Sequence, residues 1–210
     1  MRKALFFDFD GVILDSVNIK TEAFYDMFLP FGKEMAEKVV AHHLAHGGIS
    51  RFEKFTFYYS EYLGIEINQD KINELSNEFS NIVFQKVLSA EFISGVLEFL
   101  EYYHKTHECY IISGTPENEL KNIVFKRNIA HFFKGIYGSP NTKIKILEKL
   151  FYNQEIDITN SYFIGDASTD LEAAQHFNLK FILVKAPHNK NLESQSDFVV
   201  DNFHSLLNKI

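Results

Sequence analysis

The sequence predicts an α/β protein in which a parallel sheet flanked by helices is interrupted near its N-terminus by a helical bundle. Two observations carry this. From residue 109 to about residue 200, short apolar runs of strand length alternate with stretches of helical periodicity, the pattern of successive βα units. Residues 17 to 88 break that rhythm, with no convincing strand and several amphipathic patterns.

The elements follow in order. ALFFDF (4 to 9) is an apolar run suited to a buried strand. The insertion repeats apolar residues at helical intervals, at Phe52, Phe55, Tyr59 and Tyr62 and at Ile72, Leu75, Phe79 and Ile82. Its breaks fall near Pro30 to Lys33, His46 to Ser50 and Gly64 to Gln69, so a small antiparallel bundle is expected. CYIIS (109 to 113) is the second strand, followed by a helix from Pro116 to Asn128 with Thr115 as its cap. Lys143 to Phe151 forms a helix, SYFIG (161 to 165) a strand, Leu171 to Phe177 a helix, and FILV (181 to 184) and DFVV (197 to 200) the last strands. The predicted division is therefore a core of residues 1–16 and 89–210 and an inserted unit of residues 17–88.

Composition narrows the function. A chain of 210 residues with 46% hydrophobic content can bury a proper core, which the 22 phenylalanines mostly fill. With 21 Lys and Arg against 28 Asp and Glu, the net charge of -7 argues against nucleic-acid binding. A small anionic ligand would need a local positive site. The lone Cys109 sits in an apolar run, which excludes an intrachain disulfide and fits a buried thiol in a reducing cytoplasm. The apolar run in MRKALFFDFD meets aspartate too early for a signal peptide or membrane span, so a soluble cytoplasmic protein is expected.

The chemistry begins at DFD. Asp8 and Asp10 share one side of an extended chain, and two like charges so close call for a cation. In an open parallel sheet, ligands bind beyond the carboxyl ends of the strands. Asp8 and Asp10 follow the first strand, Ser113 and Gly114 the second, and Asp166 and Asp170 follow SYFIG, so the three clusters converge on one sheet edge.

The four segments DFDGV (8 to 12), ISG (112 to 114), Lys143 in SPNTK and GDASTD (165 to 170) together resemble a haloacid dehalogenase-superfamily phosphohydrolase. The resemblance is to the phosphoglycolate phosphatase and beta-phosphoglucomutase-like subgroup, with a Rossmann-like core and a helical cap inserted after the first motif. It implies Asp8 as a nucleophile forming an aspartyl-phosphate and Asp10 as general acid and base. It further implies Mg²⁺ held by Asp8, Asp166 and the backbone carbonyl of Asp10, with Asp170 behind the ligands or orienting Lys143. Ser113, Gly114 and Lys143 would bind the phosphoryl group. Lys145 is a nearby competitor, but Lys143 follows the turn-like SPNT and lies at a helix start. Asp15 and Ser16 would be hydrogen-bonding hinge residues, and the chain would return to the core near EFISGV (91 to 96).

Specificity is expected from the inserted cap. Ser50 and Glu53 form an S-x-x-E capping box that starts a helix with Arg51 in its first turn, preceded by His46 and a Gly47-Gly48 loop. Arg51 and His46 are therefore expected to meet a polar or anionic part of the substrate. His42 and His43 are assigned to surface or packing. The expected activity is Mg²⁺-dependent hydrolysis of a small phosphorylated metabolite. A sugar-phosphate mutase is the enzymatic alternative, and a phosphoaspartate switch or interaction protein the non-enzymatic one. Oligomeric state and natural substrate stay open.

Overall fold

The computed structural model describes residues 2–153, 156–207 and 209–210. The first strand, β1, spans Ala4–Phe7. The helices α1 (Val17–Phe28), α2 (Lys33–Ala45), α3 (Arg51–Phe57) and α4 (Gln69–Leu88) follow, with a π-helical turn at Tyr58–Tyr62. After α5 (Val96–Tyr103) the βα alternation takes over: β2 (Glu108–Pro116), α6 (Glu117–Lys126), β3 (Gly135–Ser139), α7 (Lys143–Asn153), β4 (Tyr162–Gly165), α8 (Ser168–His176), β5 (Lys180–Val184) and β6 (Phe198–Val200).

The six strands form one sheet in the order β3-β2-β1-β4-β5-β6, with every neighbouring pair parallel. Phe7 of β1 is in register with Ile111 of β2 and Ile164 of β4, so the chain leaves β1 between two strands that it reaches much later. That point, where successive connections depart in opposite directions, is where an open sheet leaves a crevice.

The strands are apolar throughout because both faces are covered. Leu5, Phe7, Ile111 and Ile164 face α5 and α6, packing with Phe99, Leu100, Leu120 and Val124. Ala4, Phe6, Tyr110 and Phe163 point the other way, into Leu147 and Leu150 of α7 and Ala173 and Ala174 of α8. The first of these cores continues into the insertion, where Phe24, Phe28, Phe55, Tyr58 and Phe79 form an aromatic cluster. There α1 packs on α2 and α4, and α3 on α4. The two chain segments joining insertion to sheet lie side by side: Asp15 N–H donates to the Glu91 carbonyl at 2.9 Å, and Ile93 N–H to the Ile13 carbonyl at 3.0 Å.

Three local differences from the sequence reading have physical causes. The strand β3 is additional to the strands expected from the sequence: GIYGS carries two glycines, which weaken its strand signal, and it sits at the sheet edge, held by its pairing with β2. Residues 96–103 form α5, an amphipathic helix beyond those expected from the sequence, buried through Val96, Phe99, Leu100 and Tyr103. The second strand does not stop at Ser113; it runs through Pro116, and α6 begins at Glu117. Thr115 is consequently not a helix cap, and its hydroxyl is turned to Asp10 instead.

Candidate active site

The carboxyl ends of β1, β2 and β4 bring the sequence motifs together. Asp8 follows β1 directly and stays paired to the sheet, its N–H donating to the Ile164 carbonyl at 2.9 Å. Gly11 then turns the chain with φ +75°, and a Cβ there would lie 2.3 Å from Asp166 Oδ2. Only glycine allows the first loop to close on the carboxylate that follows β4.

Asp8, Asp166 and Asp170 each present an oxygen within 4.8 Å of the others, and all three are buried. Lys143, the first residue of α7, stands among them: its Nζ donates to Asp8 Oδ2 at 2.7 Å and to Asp170 Oδ1. Asp170 also accepts from Ala167 N–H through Oδ2 at 3.1 Å, so both its oxygens are engaged. His188 lies 3.4 Å from Asp166 Oδ2, while Asn189 donates to the Asp166 carbonyl at 2.8 Å.

Electrostatics follow from this crowding. Burial raises the Asp170 carboxyl well above the usual range, opposed by Lys143 and reinforced by Asp8 and Asp166. Burial also raises Asp166, opposed by His188 and reinforced by Asp8. Lys143 is pushed up despite burial because Asp170 and Asp8 hold its proton. Three carboxylates against one ammonium leave an excess of negative charge in a buried site. The donor set is all oxygen, which fits a hard divalent cation such as Mg²⁺.

Asp10 has a different environment. It accepts from Ser16 Oγ at 2.6 Å and Thr115 Oγ1 at 3.0 Å and forms an ion pair with Lys20 Nζ. Burial works to raise this carboxyl, but Lys20 and the two hydroxyls lower it below its ordinary value. Lys20 also donates to Thr115 Oγ1 at 2.7 Å, tying α1 of the insertion to β2 of the sheet.

A cavity opens over this edge. Asp8, Asp10, Ser113, Gly114 and Asp166 form its floor; Lys20, Phe24, His43, Gly48, Arg51 and Lys54 line its insertion side. Lys143 and Asp170 stand behind the floor. The glycine loop of the insertion reaches the sheet edge: a Cβ on Gly114 would lie 2.4 Å from the Gly48 carbonyl, and one on Gly48 would lie 1.9 Å from Thr169 Oγ1. The Gly47-Gly48 pair thus permits this close approach.

The two specificity residues read from the sequence are placed differently. The box at Ser50 forms, with Ser50 Oγ accepting from Glu53 N–H at 3.3 Å. Arg51 lines the cavity, but its guanidinium is already held by Glu119 of α6 at 2.8 and 3.0 Å and by Ser80 at 2.7 Å, stacked over Phe79. His46 is exposed and turned from the cavity, its Nδ1 on the His42 carbonyl at 3.0 Å and its ring stacked on His42. Sequence reasoning missed Lys20, Thr115, Lys54, His43 and His188. None stands in a recognisable spacing to the aspartates, and only the folded insertion brings Lys20, His43 and Lys54 over the sheet.

The model of the family described as haloacid dehalogenase-like hydrolase matches residues 5–184. The chain belongs to the haloacid dehalogenase-like hydrolases. A curated relative named phosphoglycolate phosphatase from Pseudomonas fluorescens is 23% identical over 216 residues, covering 98% of this chain and 78% of its own. Among solved structures of similar fold, a beta-phosphoglucomutase of Clostridium difficile superposes with a TM-score of 0.78 at 20% identity, covering 98% of this chain and 93% of that one. A haloacid dehalogenase-like family protein of Streptococcus pneumoniae superposes with a TM-score of 0.71 at 20% identity, covering 98% and 97%. At such identities the superpositions establish the shared fold, a parallel α/β sheet with an inserted helical cap.

Proposed function

We propose that this haloacid dehalogenase-like hydrolase is a Mg²⁺-dependent phosphatase acting on a small phosphorylated metabolite, with residues 17–88 as a cap over a catalytic core of residues 1–16 and 89–210. The observation that carries the reading is the pairing of two unlike carboxylates on one strand end. Asp8 is held by Lys143 within an acidic cluster, and Asp10 by Ser16, Thr115 and Lys20 beside it. The phosphatase names of relatives such as the Pseudomonas fluorescens protein support it.

Asp8 attacks phosphorus, forming an acyl-phosphate bond as the ester oxygen leaves. Asp10 gives that oxygen a proton and afterwards takes one from the water that hydrolyses the acyl-phosphate. Lys143 orients the Asp8 carboxylate and offsets charge near the transferring group, while Ser113 and the Gly114 N–H hold phosphoryl oxygens. Asp8, Asp166 and the Asp10 carbonyl would hold Mg²⁺, which when bound neutralises charge shared by nucleophile and phosphate. Asp170 positions Lys143. A cytoplasmic setting accords with the lone buried thiol of Cys109.

The test is phosphate release from an aryl phosphate in the presence of Mg²⁺. Turnover that is lost in Asp8→Asn supports the reading, and absence of turnover in the wild-type protein across phosphorylated metabolites contradicts it.

A further inference from the structure

The cavity and the cluster behind its floor contain four lysine and arginine side chains, and among the described residues all but one are paired with a carboxylate. Lys143 is paired with Asp8 and Asp170, Lys20 with Asp10, and Arg51 with Glu119, while His188 lies against Asp166. Lys54 differs. Its side chain lines the cavity yet is only 2% exposed, and among the described residues no carboxylate bonds to it. Among the described residues its ammonium hydrogen-bonds to His43, at 2.8 Å from Nδ1 and 3.4 Å from the carbonyl, with Phe24 on one side.

A lysine kept for packing extends its charged end to water. Here the end is turned inward, where an ammonium without an anion is costly. Two of its three N–H groups point to His43, which leaves the third for a ligand. The imidazole suits this arrangement because burial, and then the charge of Lys54, hold its pKa well below the ordinary value. It therefore stays neutral and can accept from the ammonium through Nδ1.

Building on the phosphatase reading, we propose that Lys54, positioned by His43, is a subsite for a second anionic group of the substrate. The substrate is then a small phosphate monoester that also carries a carboxylate or a second phosphate, in preference to a neutral alcohol or sugar phosphate. Arg51, engaged by Glu119, is not the residue that reads this group. Burial and the repulsion of Lys20, against a weaker upward pull from Asp10, lower the Lys54 pKa to about 7, in keeping with an ammonium that no carboxylate holds.

The experiment compares phosphate release from matched pairs: phosphoglycolate against its carboxamide, and glycerol 1,3-bisphosphate against glycerol 1-phosphate. Wild type, Lys54→Met and Lys54→Gln are each assayed, with circular dichroism to confirm folding. Losing one charge-assisted hydrogen bond should make the wild-type kcat/KM favour the doubly anionic member of one pair by roughly tenfold to a hundredfold, and the ratio should fall to about parity in both variants. The pair with the larger ratio identifies carboxylate or phosphate. Absence of preference in the wild type, or a preference that survives both substitutions, overturns the proposal. If no phosphate ester is turned over, the phosphatase reading fails separately. Calorimetric titration with phosphoglycolate then decides the subsite: binding weakened about tenfold in Lys54→Met supports it, and absent or equal binding overturns it.

Discussion

Arg51 of the cap and Glu119 of the core form a two-pronged ion pair, with Nη1 to Oε2 at 3.0 Å and Nη2 to Oε1 at 2.8 Å. Their side chains are 4% and 9% exposed, so the pair is a buried clasp between α3 and α6. Burial works to raise the Glu119 carboxyl, but Arg51 outweighs it and the net shift is downward.

Removing one partner strands the other. Glu119→Ala is expected to destabilise the protein by about 3–5 kcal/mol because an unpaired guanidinium stays buried. The double variant Arg51→Met/Glu119→Leu should be considerably less harmed. Denaturant unfolding of the three proteins checks this, and a double variant as unstable as the single one would refute it. Since the folded pKa of Glu119 is depressed, its stabilising contribution is present above the ordinary glutamate range and is lost as pH falls through the folded value.

The pH dependence of substrate affinity should report Lys54. Its pKa of about 7 in the free protein is set by burial, Lys20 and Asp10, with neutral His43 alongside, and a bound anion raises it. Below pH 7 the charge is already present and affinity is flat. Above it, binding must take up a proton, so KM for a doubly anionic substrate should rise by up to about tenfold per pH unit. The same substrate with Lys54→Met should lack that slope.

The acidic cluster should bind a divalent cation without any substrate. Thermal melting in Mg²⁺ is expected to shift upward, by the equivalent of ~1.4 kcal/mol at ten times the dissociation constant. Asp166→Asn should abolish the shift, and excess chelator should reverse it. A melting temperature indifferent to Mg²⁺ in the wild-type protein would contradict the assignment of Asp8 and Asp166 as ligands.

Gly48→Ala should separate the cap loop from the sheet edge. The residue has φ +77°, and its Cβ would fall 1.9 Å from Thr169 Oγ1 and 3.2 Å from Lys143 Nζ. Backbone strain alone costs about 1 kcal/mol, and relieving the overlap displaces the loop from Thr169, whose hydroxyl donates to the Gly47 carbonyl at 3.2 Å. Unfolding and steady-state assays together should show lower stability and reduced kcat/KM; a variant normal in both would show that the close approach is dispensable.

The fold class was legible because both faces of the sheet are buried, so ALFF, CYII, YFIG and FILV had to be continuous apolar runs. The core motifs were legible for a related reason: Asp8, Asp10, Asp166 and Asp170 follow those runs, and parallel pairing carries all of them to one edge. The cap side was not. Arg51 looked available from its capping box, but Glu119 lies 68 residues away and reaches it only when α4 and α6 pack together. Lys54 read as one lysine on an amphipathic helix, and its burial beside His43 depends on where Phe24 and Phe79 seat α3. Thr115 looked like a cap because local hydrogen bonding competes at every strand end, and here the ligation of Asp10 prevails.

The central claim, that Asp8 carries the phosphoryl group, is tested most directly by trapping. The enzyme turning over an aryl phosphate in Mg²⁺ is quenched with borohydride, which reduces an aspartyl-phosphate to an alcohol, and the peptide containing Asp8 and Asp10 is sequenced by mass spectrometry. Reduction confined to Asp8, dependent on substrate and absent from Asp8→Asn, is the predicted result. Full turnover with an unmodified Asp8, or with reduction at another carboxylate, would contradict it.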